Sequence, residues 1–374
     1  MDTFLLTGMV GVLVVGILFL GVTIMEDAFG TTRTFLMSVL LLAAVMCLGG
    51  GVAFAQQGPN DPPCPNSVLA PSGLAPDDHC GASGCLLTFK NYQWWTAFTF
   101  NPNEGYYNGG LGTIFAPEHV FLGQRGNLHL KIAKDWNDNT QWAGAEAVLM
   151  FHADGTQANL GYGDYLVTAE LRSPQNANFS TFDPNVALGM FTYERPATGS
   201  QGNVAREIDL AEISRWGWDH ESPADCPFTG TQGQFDKSTL CQGNAQFALQ
   251  DFTQAPGMVK RYDAGNTNKV TLVMRWRADQ VTFEKYNGAH TLDNLPTQEK
   301  FEWTTPAALK GFVPTPGCQR FHINLWLGNF YDTNWNPLAP FAPHAGPTDG
   351  QEVEVVITNF EFSTETNSHG HGKK

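Results

Sequence analysis

The chain has 374 residues, a formal net charge of −15 and a charged fraction of only 15%. This acidic balance argues against a nucleic-acid partner and against electrostatic attachment to anionic membrane surfaces. After residue 87, short alternating runs separated by turn residues dominate, and no long stretch has helical periodicity. The pattern predicts one large all-β domain over residues 88–363.

The first 55 residues form an apolar targeting region that contains two stretches. Residues 4–24 carry no charge and are long enough to span a bilayer. Residues 35–55 end in Ala-Phe-Ala, which signal peptidase could cut. Two interpretations stay open. The first stretch is a membrane anchor, or translation starts at Met25 and residues 25–55 are a cleaved signal peptide. The second needs fewer assumptions and predicts a secreted or periplasmic protein.

Six of the seven cysteines follow the proposed signal, an even number that suits disulfides in an oxidising compartment. Cys226 and Cys241 bracket one Gly-rich loop and are the first predicted pair. Two further bridges would tie the Pro- and Cys-rich leader, residues 56–87, to the domain through Cys64, Cys80, Cys85 and Cys318. Zinc is the competing interpretation, but the spacing of Cys80 and Cys85 lacks a matching second pair. The tail, residues 364–374, is predicted to be disordered.

The most informative segment reads Glu-Ile-Asp-Leu-Ala-Glu at residues 207–212. Alternation along a strand places the first two acids on one face, the Ile and Leu on the other, and Glu212 on the apolar side. One extra residue near Ala211, accommodated as a β-bulge, returns Glu212 to the acidic face. Crowded carboxylates raise the pKa of at least one member, which is costly without a use. A solvated acidic face and a calcium site are the alternative interpretations.

Two tryptophans, Trp216 and Trp218, follow the acids directly. A sugar ring stacks well on the apolar face of an indole. Acidic residues with nearby tryptophans therefore indicate a polysaccharide cleft, with both tryptophans as substrate-binding candidates.

The run Arg-Glu-Ile-Asp-Leu-Ala-Glu at residues 206–212 resembles the bulged active-site strand of glycoside hydrolase family 16, the form found among laminarinases, agarases and carrageenases. Other segments resemble further strands of that family in the same order: residues 127–130, 162–165, 270–276, 281–288, 321–328 and 353–360. The resemblance implies a two-sheet antiparallel β-sandwich, a jelly roll of the concanavalin A-like lectin and glucanase type, with a concave substrate cleft.

The resemblance also implies an endo-acting, retaining glycosidase. Glu207 would be the nucleophile, Glu212 the general acid/base, and Asp209 would hydrogen-bond to the nucleophile. No cofactor or catalytic metal takes part, while a structural calcium occurs in the family. The expected partner is a polysaccharide, either a β-1,3-glucan or a red-algal galactan, and a monomer is expected. A carbohydrate-binding protein without catalysis, a transglycosylase and a structural envelope protein are the alternatives, the last ranked lowest.

Parity predicts which side chains join the acids on one face. In residues 321–327, His322, Asn324 and Trp326 alternate with an apolar set that suits the core. They would face the cleft if this strand lies in the concave sheet, as it does in the family. Two narrower readings stay open: Trp326 could cap the core instead, and His322 could serve as a base.

The sequence departs from the family at two places. Phe191 and Tyr193 take the cleft side of a strand that usually carries a tryptophan there. Residues 244–250 occupy the place of a histidine that many members carry after the acidic strand. Trp94 and Trp95 are adjacent, so an extended backbone points them to opposite faces, one of which is the core.

Overall fold

The computed structural model describes residues 85–96, 114–134, 141–173, 178–194, 206–214, 243–250, 255, 257–298, 300–327 and 346–364. Within these ranges there is no helix long and apolar enough to cross a membrane. The predicted targeting region and its boundary at residue 55 lie outside them, as does most of the leader. Strand labels below number the described strands in chain order.

The first sheet contains eight strands, and all of its neighbouring strands are antiparallel. In spatial order they are β1 (Leu86–Phe89), β2 (Tyr92–Thr96), β6 (Ala145–His152), β15 (Arg320–Leu327), β8 (Val186–Tyr193), β9 (Ile208–Ile213), β10 (Ala245–Leu249) and β11 (Val259–Tyr262).

The second sheet is also antiparallel. Its spatial order is β14 (Lys300–Thr304), β13 (Val281–Asn287), β12 (Lys269–Trp276), β7 (Gly163–Leu171), β16 (Val353–Thr364), β4 (Leu128–Lys134) and β3 (Val120–Leu122), with β5 (Trp142–Ala143) paired to β4. The short 3-10 helices of the described ranges are Pro117–His119, Phe179–Thr181, Leu292–Asn294 and Ala307–Phe312. The predicted two-sheet antiparallel β-sandwich is confirmed.

The apolar sides of the two sheets meet in one core. Alternate residues of each strand enter it, among them Leu188 and Ile323 from the first sheet and Val167, Leu272 and Ile357 from the second, all fully buried. Because successive side chains of a strand point to opposite faces, this assignment leaves the remaining residues of the first sheet on its other side.

Strand β9 contains the predicted bulge. Its pairing with β8 joins Met190 to Ala211 and Phe191 to Asp209, so that β9 advances two residues while β8 advances one. The pairing with β10 shifts over the same stretch. The irregularity therefore lies at Leu210 and Ala211, and both side chains are buried in the core.

An aromatic stack supports the bulge from the other sheet. Phe247 lies on β10 between the residues paired with Glu212 and Asp209, opposite the extra residue. Its ring stacks on Phe283 of the second sheet with centroids 5.0 Å apart, and on Tyr262 at 4.3 Å. Such pairs contribute about 0.5–1.5 kcal/mol beyond their buried area. The kink in β9 is thus packed against both sheets.

Replacing Leu210 by Ala should destabilise the protein by about 2–5 kcal/mol, because Leu210 is fully buried at the bulge and its removal leaves a cavity. Chemical denaturation followed by tryptophan fluorescence measures the change. The matched control is Thr88→Ala on the exposed side of β1, which should stay within about 0.5 kcal/mol of the unchanged protein. An equal loss in both variants would contradict the packed bulge.

Candidate active site

The side of the first sheet that faces away from the core is called the site face here. Strand register aligns its residues in rows across neighbouring strands. One row contains Val148, His322, Phe191, Asp209 and Ala248. The next row contains Glu146, Asn324, Gly189, Glu212, Gln246 and Arg261. The acids of β9 therefore stand beside residues from strands that are distant in sequence.

Asp209 is the most enclosed of the three acids, with 3% of its surface exposed. Its Oδ2 accepts a hydrogen bond of 2.9 Å from the Gln250 amide, and its side chain also hydrogen-bonds with Glu207. Burial raises the pKa of the Asp209 carboxyl well above its ordinary range, and the charges of Glu207 and Glu212 raise it further. Asp209 is consequently the member of the cluster that keeps its proton.

Glu212 is half-buried and has a different set of neighbours. Its Oε2 accepts a hydrogen bond from Nε2 of Gln246, the residue directly opposite it on β10. Burial raises the pKa of the Glu212 carboxyl, while the charge of Arg261 and the Gln246 amide act in the opposite direction. Burial also lowers the pKa of Arg261 to about 10, which leaves it charged at neutral pH.

His322 lies two strands away from the acids, in an aromatic setting. Its ring stacks on Phe191 with centroids 5.1 Å apart and meets Tyr193 edge-on at 5.7 Å. Its Nδ1 lies 3.1 Å from Oε1 of Glu146. Because an ionised carboxylate only accepts hydrogen bonds, this contact places a proton on Nδ1. The four side chains form one continuous patch of the site face.

Gly189 makes room for Asn324. It stands between Asn324 and Glu212 in the row, and a Cβ atom at this position would lie 2.3 Å from Oδ1 of Asn324. The Asn324 amide thus occupies the space that a side chain at residue 189 would need. Asn324 is 8% exposed, so this amide is enclosed beside the candidate acid.

The predicted site residues separate into two groups. Those on the site face are Glu207, Asp209, Glu212, Phe191, Tyr193, His322, Asn324 and Trp326. Trp326 is half-buried on that face rather than part of the core. Trp94 is fully buried in the core, whereas Trp95 is half-buried and packs beside Val148. The other group, Trp216, Trp218, Cys226 and Cys241, lies outside the described residues.

Among the described cysteines, Cys85 and Cys318 are both disulfide-bonded. The remaining four of the predicted framework lie outside the described ranges, so the pairing of Cys226 with Cys241 stays a prediction. Within the described ranges no group of three or more His, Cys, Asp or Glu side chains is arranged to hold a metal ion. A structural calcium stays a prediction as well.

Sequence reasoning missed several partners of the acids: Gln246, Gln250, Glu146 and Arg261. A signal for the two glutamines was present, because Gln246 and Gln250 have the same parity in residues 244–250 that was noted as replacing a histidine. For Glu146 and Arg261 no local signal exists, since they come from β6 and β11 and meet the site only through strand order.

No family model matches the chain, and no curated protein does. Solved structures do. A laminarinase catalytic domain from Thermotoga maritima MSB8 is 12% identical, with 75% of this chain and 94% of that chain covered and a TM-score of 0.44. An endo-1,3-beta-glucanase from Streptomyces sioyaensis is 15% identical, with 78% and 98% covered and a TM-score of 0.41. Lectin I from Ulex europaeus is 12% identical, with 65% and 88% covered and a TM-score of 0.33.

Glucanases and a lectin are thus among the similar structures, as the family resemblance of the sequence leads one to expect. At these identities and TM-scores the matches carry no argument about activity. The sheets themselves define the class: a two-sheet antiparallel β-sandwich with three carboxylates on the outer side of one sheet.

Replacing Asp209 by Asn should stabilise the protein at neutral pH. The folded state raises the pKa of this carboxyl, so folding takes up a proton and stability falls as pH rises from the ordinary Asp pKa, about 3.9, towards the raised value. An uncharged amide removes this penalty and keeps an oxygen to accept from Gln250.

Urea denaturation of both proteins at several pH values measures the effect. The advantage of the Asn variant should be present at pH 7 and disappear below about pH 4, where both carboxyl states are protonated. A constant difference across this range would contradict the raised pKa of Asp209.

Proposed function

We propose that the protein is an endo-acting glycoside hydrolase that cleaves a β-linked polysaccharide with retention of anomeric configuration. The observation that carries the proposal is the bulged strand β9, which brings Glu207, Asp209 and Glu212 to one face in unequal electrostatic settings. Retaining chemistry uses one ionised and one protonated carboxyl, roughly 5–5.5 Å apart. Unequal environments are the means by which enzymes separate two such roles.

Glu207 is assigned as the nucleophile. A protonated Asp209 donates a hydrogen bond to it, which avoids a second negative charge beside the attacking oxygen. The Glu207 carboxylate attacks the anomeric carbon and forms a glycosyl-enzyme ester, while the glycosidic C–O bond breaks.

Glu212 is assigned as the general acid and then the base. Its raised pKa favours the protonated state that the first step needs, and it gives this proton to the departing glycosidic oxygen. The hydrogen bond from Gln246 to Oε2 fixes the carboxyl and leaves Oε1 for proton transfer. In the second step the ionised Glu212 removes a proton from water, which hydrolyses the ester.

The substrate is assigned to the polysaccharides of the family that the sequence resembles, a β-1,3-glucan first and a red-algal galactan second. The aromatic patch of Phe191, Tyr193 and His322 offers apolar ring faces and edges of the kind that sugars contact. Secretion and a monomeric state belong to the proposal. A reducing-end assay over β-glucans and algal galactans tests it, and binding without cleavage would favour a carbohydrate-binding protein. Transfer to an added sugar would favour a transglycosylase.

Glu207→Gln should abolish turnover while polysaccharide binding persists, because the amide keeps the shape and removes the nucleophile's charge. Reducing-end release and affinity electrophoresis measure the two properties. Glu302→Gln, an exposed Glu on β14 of the second sheet, is the matched control and should keep full activity. Hydrolysis by the purified Glu207 variant at the original rate would refute the assignment.

Glu212→Gln should lower kcat on polysaccharide by roughly 10²–10⁴-fold, the usual contribution of a positioned proton donor. Activity should return in part on aryl glycosides with dinitrophenolate leaving groups, since these depart without a proton. Steady-state kinetics on both substrate types provide the measurement. An equal loss on both types would count against the acid role of Glu212.

A further inference from the structure

Arg206, directly before Glu207, has an unusual backbone conformation. Its φ of 46° lies in the left-handed region that L residues with side chains rarely adopt. The other described non-glycine residues with positive φ, Lys90 and Asn91, form the tight turn between β1 and β2, where such values are normal. Arg206 instead stands at the entry to the acidic strand, and such strain persists only where the surroundings hold it.

The Arg206 side chain is held at both ends of its guanidinium group. Nη1 donates to Oε2 of Glu194 at 2.5 Å, and Nε donates to the carbonyl of Thr315 at 2.9 Å. The same Glu194 oxygen accepts from the backbone N–H of Cys318 at 2.8 Å. Arg206 is only 4% exposed, so this clamp is enclosed and rigid.

The fit of the clamp extends to the backbone of residues 315–318. A Cβ atom on Gly317 would lie 2.4 Å from Cζ of Arg206, so only glycine leaves space for the guanidinium. Cys318 is disulfide-bonded and follows directly. The segment before β15 therefore forms a fixed receptor for this one side chain.

The backbone around Glu207 is anchored on both sides. The Thr192 hydroxyl donates to the carbonyl of Arg206 at 2.8 Å and accepts from the N–H of Ile208 at 3.2 Å. The carbonyl of Glu207 accepts from the N–H of Gln250 at 3.2 Å. With these three contacts in place, the direction of the Glu207 side chain is determined by where residue 206 is held.

We infer that Arg206 is a positioning residue for Glu207. Its guanidinium, clamped by Glu194 and Thr315, holds residue 206 in the left-handed conformation and so fixes the Glu207 carboxylate against Asp209. The inference rests on the proposed nucleophile role of Glu207. It assigns to Arg206 no contact with substrate.

Kinetics of full-length variants test the inference. Arg206→Ala and Arg206→Lys should lower kcat on the order of 100-fold, the effect of a misplaced reacting group, with KM changed less than about threefold. The loss should remain on dinitrophenyl glycosides, because attack by Glu207 does not depend on the leaving group's proton. Arg206→Gly keeps the backbone conformation without the clamp and should lose kcat as well.

Glu194 supplies the rescue comparison. Glu194→Gln retains an oxygen that accepts from Arg206, so it should keep more activity than Glu194→Ala. The control is Arg277→Ala, which removes an Arg that pairs with Asp164 on the second sheet and should lower stability without changing kcat. Wild-type kcat in Arg206→Gly, or losses in all variants that match their unfolded fractions, would overturn the inference.

Crystal structures keep the two proposals separable. If the unchanged protein cleaves no glycan, the proposed function fails, but the Glu207 carboxylate should still move away from Asp209 in Arg206→Ala. An unmoved carboxylate in that variant would overturn the positioning role whatever the activity.

Discussion

One extra residue in strand β9 is the constraint on which the site depends. Without the irregularity at Leu210 and Ala211, strict alternation would turn Glu212 into the core between two apolar sheets. An ionised carboxylate without partners in that environment is severely unfavourable. The bulge therefore reconciles a continuous apolar side with three acids on the other, and the Phe247–Phe283 stack secures it from the opposite sheet.

The crowding of three acids creates the second problem, which the structure resolves with neutral groups close by and a cation farther out. Gln250 and Gln246 give one amide hydrogen bond each to Asp209 and Glu212. Arg261 acts on Glu212 from one strand beyond Gln246. A cation in direct contact would favour the ionised form of every acid, whereas amides orient the carboxyls and let burial set their proton affinities. The arrangement opposes stability, as sites built for chemistry often do.

The sequence was sufficient for the sandwich, the bulge and the face of each strand, because these follow from alternation within single strands. His322, Asn324 and Trp326 illustrate this, since parity alone places them together. It was insufficient for partners. The contact of Glu146 with His322 joins residues 176 positions apart, and strand order decides such contacts. Arg206 gave no local warning of its left-handed backbone, because arginine has no preference for that conformation.

The space shared by Gly189 and Asn324 makes these two positions a single unit of volume. A side chain added at one must be compensated by a smaller one at the other, because a Cβ on residue 189 and the Asn324 amide claim the same few cubic ångströms. Neutral drift at either position alone is therefore blocked. Related chains that enlarge residue 189 would have to shorten residue 324, and the floor beside Glu212 would then present a different chemical surface to whatever lies above it.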